Sequence, residues 1–213
     1  TIRTSHDGAR CFVQYRLPAH TYETPDGDTV SLSLLATSSI DGTFPFMISA
    51  AAIQSACTNL QVFIGGEVAV YKAKHTKSLN VEHGANLIVK ALDVFNNERE
   101  LWNKMQGEHV SSNEAFIEIC KGVGVPSLID DLVDSNPANV VETNRNKSKN
   151  VAYIWDAFHR YKVRLGQNRW ALYNAFTDWS THSGAYTKAS NRNIASVRAN
   201  RQEIVRKAFA RVA

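Results

Sequence analysis

The sequence predicts an α+β protein: an antiparallel β-sheet packed on a long helix, followed by a basic helical region. Three observations lead there. Short β-branched runs joined by Gly-containing turns occupy the chain up to His75. The hydrophobic period changes from two to 3.6 around Asn80. Charge is also segregated. Residues 143–213 hold fourteen Lys and Arg against three carboxylates, a net +11, while residues 1–142 hold ten against seventeen, a net −7.

Residues 11–19 and 29–38 are strand-like, and Thr24-Pro25-Asp26-Gly27-Asp28 between them has the residues of a tight turn, so they form a hairpin. Ile40-Asp41-Gly42-Thr43 is a second turn, leading into a strand over 44–52; residues 54–64 are apolar enough for a strand or a short buried turn. Gly65-Gly66 reverses the chain into residues 68–75, where Val68, Val70, Lys72 and Lys74 alternate with Ala69, Tyr71, Ala73 and His75. The turns are too short for helical crossovers, which makes the sheet antiparallel.

Ile88, Ala91, Leu92, Phe95, Trp102 and Met105 then form one stripe of a long helix, with Glu82 suited to its N-terminal dipole. Ser111-Ser112-Asn113-Glu114 is a capping box for a helix through Cys120, which Gly122, Gly124 and Pro126 end. A short helix over 128–133 stops before Pro137. The polar, Asn-rich residues 135–149 are expected as an exposed linker or loop, and three helices follow over 151–165, 168–183 and 191–212. The expected organisation is therefore a sheet and helices over 1–134, the linker, and a basic helical region over 150–213 on the same core. Two independent domains are not expected at 213 residues.

Apolar residues at 44% and charged ones at 21% are ordinary globular usage, which excludes wholesale disorder and collagen-like or coiled-coil chains. No apolar window is long enough for a membrane span, and residues 1–4 begin no signal peptide. The first residue, Thr1, is not Met, which leaves room for residues upstream. Cys11, Cys57 and Cys120, odd in number and without CxxC spacing, read as free thiols in a reducing compartment rather than a zinc ribbon.

Clustered cations gain by displacing the counterions condensed on a polyanion, so the +11 segment favours an acidic partner such as nucleic acid; otherwise the two regions neutralise each other within or between subunits. Lys72 and Lys74 on one strand face, with Lys77 just beyond, suit successive phosphates of an extended strand, or are a solvated or edge-protecting face. Arg160, Arg164, Arg169 and Trp170 belong to a segment that mixes aromatics with cations. Core packing explains most of its aromatics, and Arg169 with Trp170 is the pair it explains least. Arg201 falls inside the apolar stripe of the last helix, where a guanidinium meets a carboxylate across a helix interface or edges a phosphate groove. For catalysis, no HxxxH or HExxH spacing occurs, Asp130-Asp131 with Asp134 lacks a companion motif, and the glycine pairs match no phosphate-loop fingerprint.

Residues 38–77 contain an Asp41-Gly42 turn followed by a strand, Cys57-Thr58-Asn59, and Lys74-His75-Thr76; residues 168–178 read Asn-Arg-Trp-Ala-Leu-Tyr-Asn-Ala-Phe-Thr-Asp. Both segments resemble the phage- and plasmid-encoded domain of unknown function numbered nine hundred and thirty-two, with Leu60 and Lys74 departing from its usual Gly and Arg. The resemblance implies a mobile-element setting in a host cytoplasm and no catalytic residue. A hairpin-rich sheet backed by a helix, with basic strand residues, is more remotely similar to phage single-strand annealing recombinases, a likeness at the level of fold. The expected function is sequence-independent binding of single-stranded DNA, or of double-stranded DNA or RNA, in recombination or replication, with strand annealing as one form. The protein is expected to act as a homo-oligomer, with no cofactor, metal or membrane. The alternatives are an assembly or host-interaction protein whose charge split serves subunit contacts, and a metal-dependent DNA-processing enzyme.

Overall fold

The computed structural model describes residues 2–5, 9–25, 27–42, 45–54, 60–61, 70–74, 81–183 and 194–210. The architecture is α+β, and the chain divides into two compact units, Thr1–Arg99 and Glu100–Ala213. The division falls inside a helix rather than at residues 135–149.

The described residues of the first unit form a six-stranded antiparallel sheet: β1 (Ile2–Ser5), β2 (Arg10–Glu23), β3 (Thr29–Ser39), β4 (Phe46–Gln54), β5 (Leu60–Gln61) and β6 (Val70–Ala73). Strands β1 to β4 pair in sequence order, and β5 and β6 pair with successive stretches of β4. The β2–β3 hairpin closes as its turn residues dictate. The Thr24 N–H and hydroxyl both donate to the Asp28 carbonyl, Asp28 accepts from the Thr29 N–H, and Gly27 takes φ 79°, a conformation that disfavours any side chain. Alternation sorts the sheet's faces. Val30, Leu32, Ala50, Ala52 and Tyr71 are buried on one face; on the other, Ser31, Ser33 and Ala51 are buried while Phe12, Arg16, Glu23 and Lys72 are exposed. Strand β1 has the polar sequence Ile-Arg-Thr-Ser, and only its pairing with β2 reveals it.

Helix α1 (Val81–Gly107) runs from the first unit into the second and buries Ala91, Phe95, Trp102 and Met105 along the expected stripe. The second unit continues with α2 (Ser112–Gly122), α3 (Ser127–Asp130), a 3₁₀ turn over Asp131–Val133, α4 (Pro137–Asn144), α5 (Lys149–Leu165), α6 (Arg169–His182) and α7 (Ile194–Phe209). Helix α6 packs against α5 and α7, and α2 against the same two helices. Trp170, Tyr173, Phe176, Trp179, Phe158, Phe116 and Phe209 make an aromatic core, joined edge to face at Phe176–Phe209 (5.5 Å) and Tyr173–Phe209 (5.2 Å). The approach of α2 to α6 requires Gly122: a Cβ there would sit 2.9 Å from the Phe176 ring.

The expected linker contains a helix. Asn136 caps it by accepting from the Asn139 N–H, Pro137 occupies the first turn, and Val140 and Val141 are buried. Pro137 starts a helix here instead of ending one. Among the described residues, no helix is long and apolar enough to cross a membrane.

Candidate nucleic-acid interface

The sheet register sets out the first candidate surface. Phe12 lies opposite Thr37, Thr37 opposite Met47, and Met47 opposite Lys72, so these four share one face and form a row across β2, β3, β4 and β6. The next rows on that face are Gln14, Leu35 and Ser49, then Arg16, Ser33 and Ala51. Phe12 is 39% exposed, and Arg16 and Lys72 are exposed, as is Lys74 just past the end of β6. These rows contain no carboxylate, and among the described residues none pairs with Arg16, Lys72 or Lys74. Three strand spacings separate Lys72 from Phe12 and four residues separate Phe12 from Arg16, about 14 Å in each direction. Phe12 and Arg16 escaped the sequence reading, although the spacing i, i+4 on one strand already gives them a common face. Lys77 lies outside the described residues.

The helical candidates have different environments. Arg160 and Arg164 are exposed on α5, and Arg160 donates to Asp178 on α6 at 3.2 Å while 60% of its side chain remains exposed. Asp178 also accepts from Tyr153 (2.9 Å) and Tyr161 (3.4 Å). Burial, then the Asp178 charge, pushes the Tyr153 phenol up to about 12.

Arg169 and Trp170 require correction: both are structural. Residues 108–110 run alongside 167–169, where Val110 N–H donates to Gln167 O (3.2 Å) and Arg169 N–H to Glu108 O (2.9 Å). That brings the Arg169 guanidinium, 8% exposed, to 2.7 Å from Glu108 and 2.7 Å from Glu118. Burial opposes the charge, but the two carboxylates more than offset it and hold the group's pKa above its ordinary value. Arg169 also lines an open pocket of about 370 Å³ with Glu108, Glu114, Glu118 and Lys121, whose acidic rim is unsuited to phosphate. Glu114 is held below the ordinary carboxylate range by its capping-box bonds to Ser111. Trp170 is fully buried, stacked on Tyr173 at 5.4 Å and tilted against Trp102 at 5.7 Å, so neither ring face is open to a base. Asn168 caps α6 by accepting from the Ala171 N–H, and the motif over residues 168–178 therefore encodes packing.

Arg201, on α7, meets the C-terminal end of α6. Its guanidinium donates to the Trp179 carbonyl (3.3 Å) and to the Ser183 carbonyl and hydroxyl (2.7 Å each), and lies 4.9 Å over the Trp179 ring. It satisfies carbonyls left over at the end of α6, where the helix dipole also favours a cation. Cys120 is buried, with a thiol pushed up to about 12 by desolvation, and Cys11 is free; Cys57 lies outside the described residues. Among the described residues, no group of His, Cys, Asp or Glu could hold a metal ion.

No curated protein and no solved structure matches the chain. A family model does, over residues 2–208, nearly from end to end and including both motif segments. The chain therefore belongs to the family described as Domain of unknown function (DUF932).

Proposed function

We propose that this protein binds single-stranded DNA without sequence preference, on the face of its sheet that carries Phe12, Arg16, Lys72 and Lys74. One observation supports the reading most: exposed cations and an exposed aromatic ring share three rows that hold no carboxylate, and Glu23, on the same face, stands at the far end of β2. Such a face suits an extended strand, because lysine and arginine neutralise successive phosphates while a ring offers a stacking surface to any base. Half-buried Ser49, in the row beside Lys72, adds a hydroxyl donor for phosphate or sugar oxygens. The proposed setting is recombination or replication of a mobile element in its host's cytoplasm, with strand annealing as the step served, and the role is binding without bond-making chemistry.

Fluorescence anisotropy of a labelled oligo(dT) across a salt series tests the reading. Affinity should fall steeply with salt, each neutralised phosphate contributing about −0.7 to the log–log slope, and the Lys72→Ala/Lys74→Ala variant should flatten that slope by up to about 1.4. No binding at low salt, or a variant indistinguishable from the parent, would refute it.

A further inference from the structure

We propose that copies of this chain associate head to tail, the turn after α3 in one copy docking on the C-terminal half of α5 in the next. Among the described residues of the second unit, two large apolar side chains are exposed, Val133 at 85% and Val163 at 82%. Their surroundings are opposite in sign. Residues 130–134 read Asp-Asp-Leu-Val-Asp, a charge of −3, and residues 160–164 read Arg-Tyr-Lys-Val-Arg, a charge of +3. Asp130, Asp131 and Asp134 are all exposed, and among the described residues none of them meets a cation. On α5, Arg160 and Arg164 are exposed and Lys162 is half-buried, with Arg160 shared with Asp178.

Each patch is thus an apolar centre with a charged rim, the usual anatomy of a small interface. Within one copy the two valines do not cover each other, since both stand open. Two copies meeting through like patches would set three cations against three cations or three carboxylates against three, so only the acid-to-base contact is favourable. Such a contact is heterologous and leaves one free patch of each kind at the ends, so it continues into a ring or an open chain. A nucleic acid on α5 would place phosphates against Val163 and would leave the acidic Val133 patch without an occupant. A second copy accounts for both patches. The proposal does not rest on the nucleic-acid reading, whose residues lie in the other unit.

Sedimentation velocity of the full chain, free of nucleic acid, across the micromolar range is the test. The average mass should rise with concentration at about 0.05 M salt and return toward the monomer near 0.5 M, as screening weakens the rim charges. Asp131→Asn/Val133→Ser and Val163→Ser/Arg164→Gln should each stay folded by circular dichroism and associate at least about tenfold more weakly. Mixed together, they should form one-to-one dimers and stop there, because each retains a single competent patch. A monomeric parent at low salt, a variant that associates as the parent does, or a mixture that fails to pair would overturn the proposal. So would an α5 variant that assembles normally but binds oligo(dT) less well, which would assign that face to nucleic acid instead.

Discussion

Replacing Arg169 by Met separates a structural guanidinium from a phosphate ligand. In the folded protein Arg169 is 8% exposed and bridges Glu108 and Glu118 at 2.7 Å each; Glu118 is 15% exposed and Glu108 42%. Methionine fills much of the same space, so packing is largely kept and the loss falls on electrostatics. Glu108 is open enough for water to solvate its charge once the partner is gone. Glu118 is more enclosed, and taking away one partner of a buried charge pair costs about 3–5 kcal/mol. In urea unfolding followed by circular dichroism, a slope of about 1–3 kcal/mol per molar turns that loss into a midpoint shift of at least about 1 M. Arg169→Met/Glu118→Gln should recover most of it, because both charges of the pair are then absent. An Arg169→Met protein within about 0.5 kcal/mol of the parent would refute the structural assignment. Equally decisive would be a double variant that loses the sum of the two single effects, since charges that form a pair are not additive.

Gly122→Ala should destabilise the helical unit by about 1–3 kcal/mol, because the new methyl meets the Phe176 ring, whereas Gly107→Ala, facing open space, should change the urea midpoint little. Tyr153 has a folded pKa raised to about 12 against about 10 unfolded, so the stability it contributes is fully present below about pH 10 and is lost as pH rises toward 12. Tyr153→Phe should accordingly flatten the alkaline loss of stability, measured as urea midpoints between about pH 9 and pH 11. Incubation with Mg²⁺ or Mn²⁺ should leave single- and double-stranded DNA intact on a denaturing gel; metal-dependent cutting abolished by Asp130→Ala would contradict a binding role.

Features set by nearest neighbours were legible from the sequence. The Thr24–Asp28 turn, the Ser111/Glu114 capping box, the stripe through Ala91, Phe95, Trp102 and Met105, and the helices over α5 and α6 all follow from local pattern. What stayed hidden depends on distant partners. Arg169 looked unexplained because Glu108 and Glu118 lie more than fifty residues upstream, and Trp170 because Trp102 is remote in sequence. Arg201 was expected to meet a carboxylate or a phosphate, and the carbonyl it meets at the end of α6 belongs to Ser183, eighteen residues upstream. Residues 135–149 looked like a linker because polar Asn residues outweighed two adjacent valines, yet Asn at a cap and Pro in the first turn start a helix. The candidate sheet face was half legible: alternation gave Lys72, and only the strand register placed Phe12 in the same row.

Ultraviolet cross-linking of oligo(dT) to the intact chain, with the modified peptides identified by mass spectrometry, locates the bound strand on the protein. Adducts are expected on the β2 peptide containing Phe12 and on peptides of β4 and β6, diminished by Phe12→Ala, which removes a stacking contact worth about 1–3 kcal/mol. Adducts confined to α5, α6 and α7, with the sheet peptides unmodified, would contradict it.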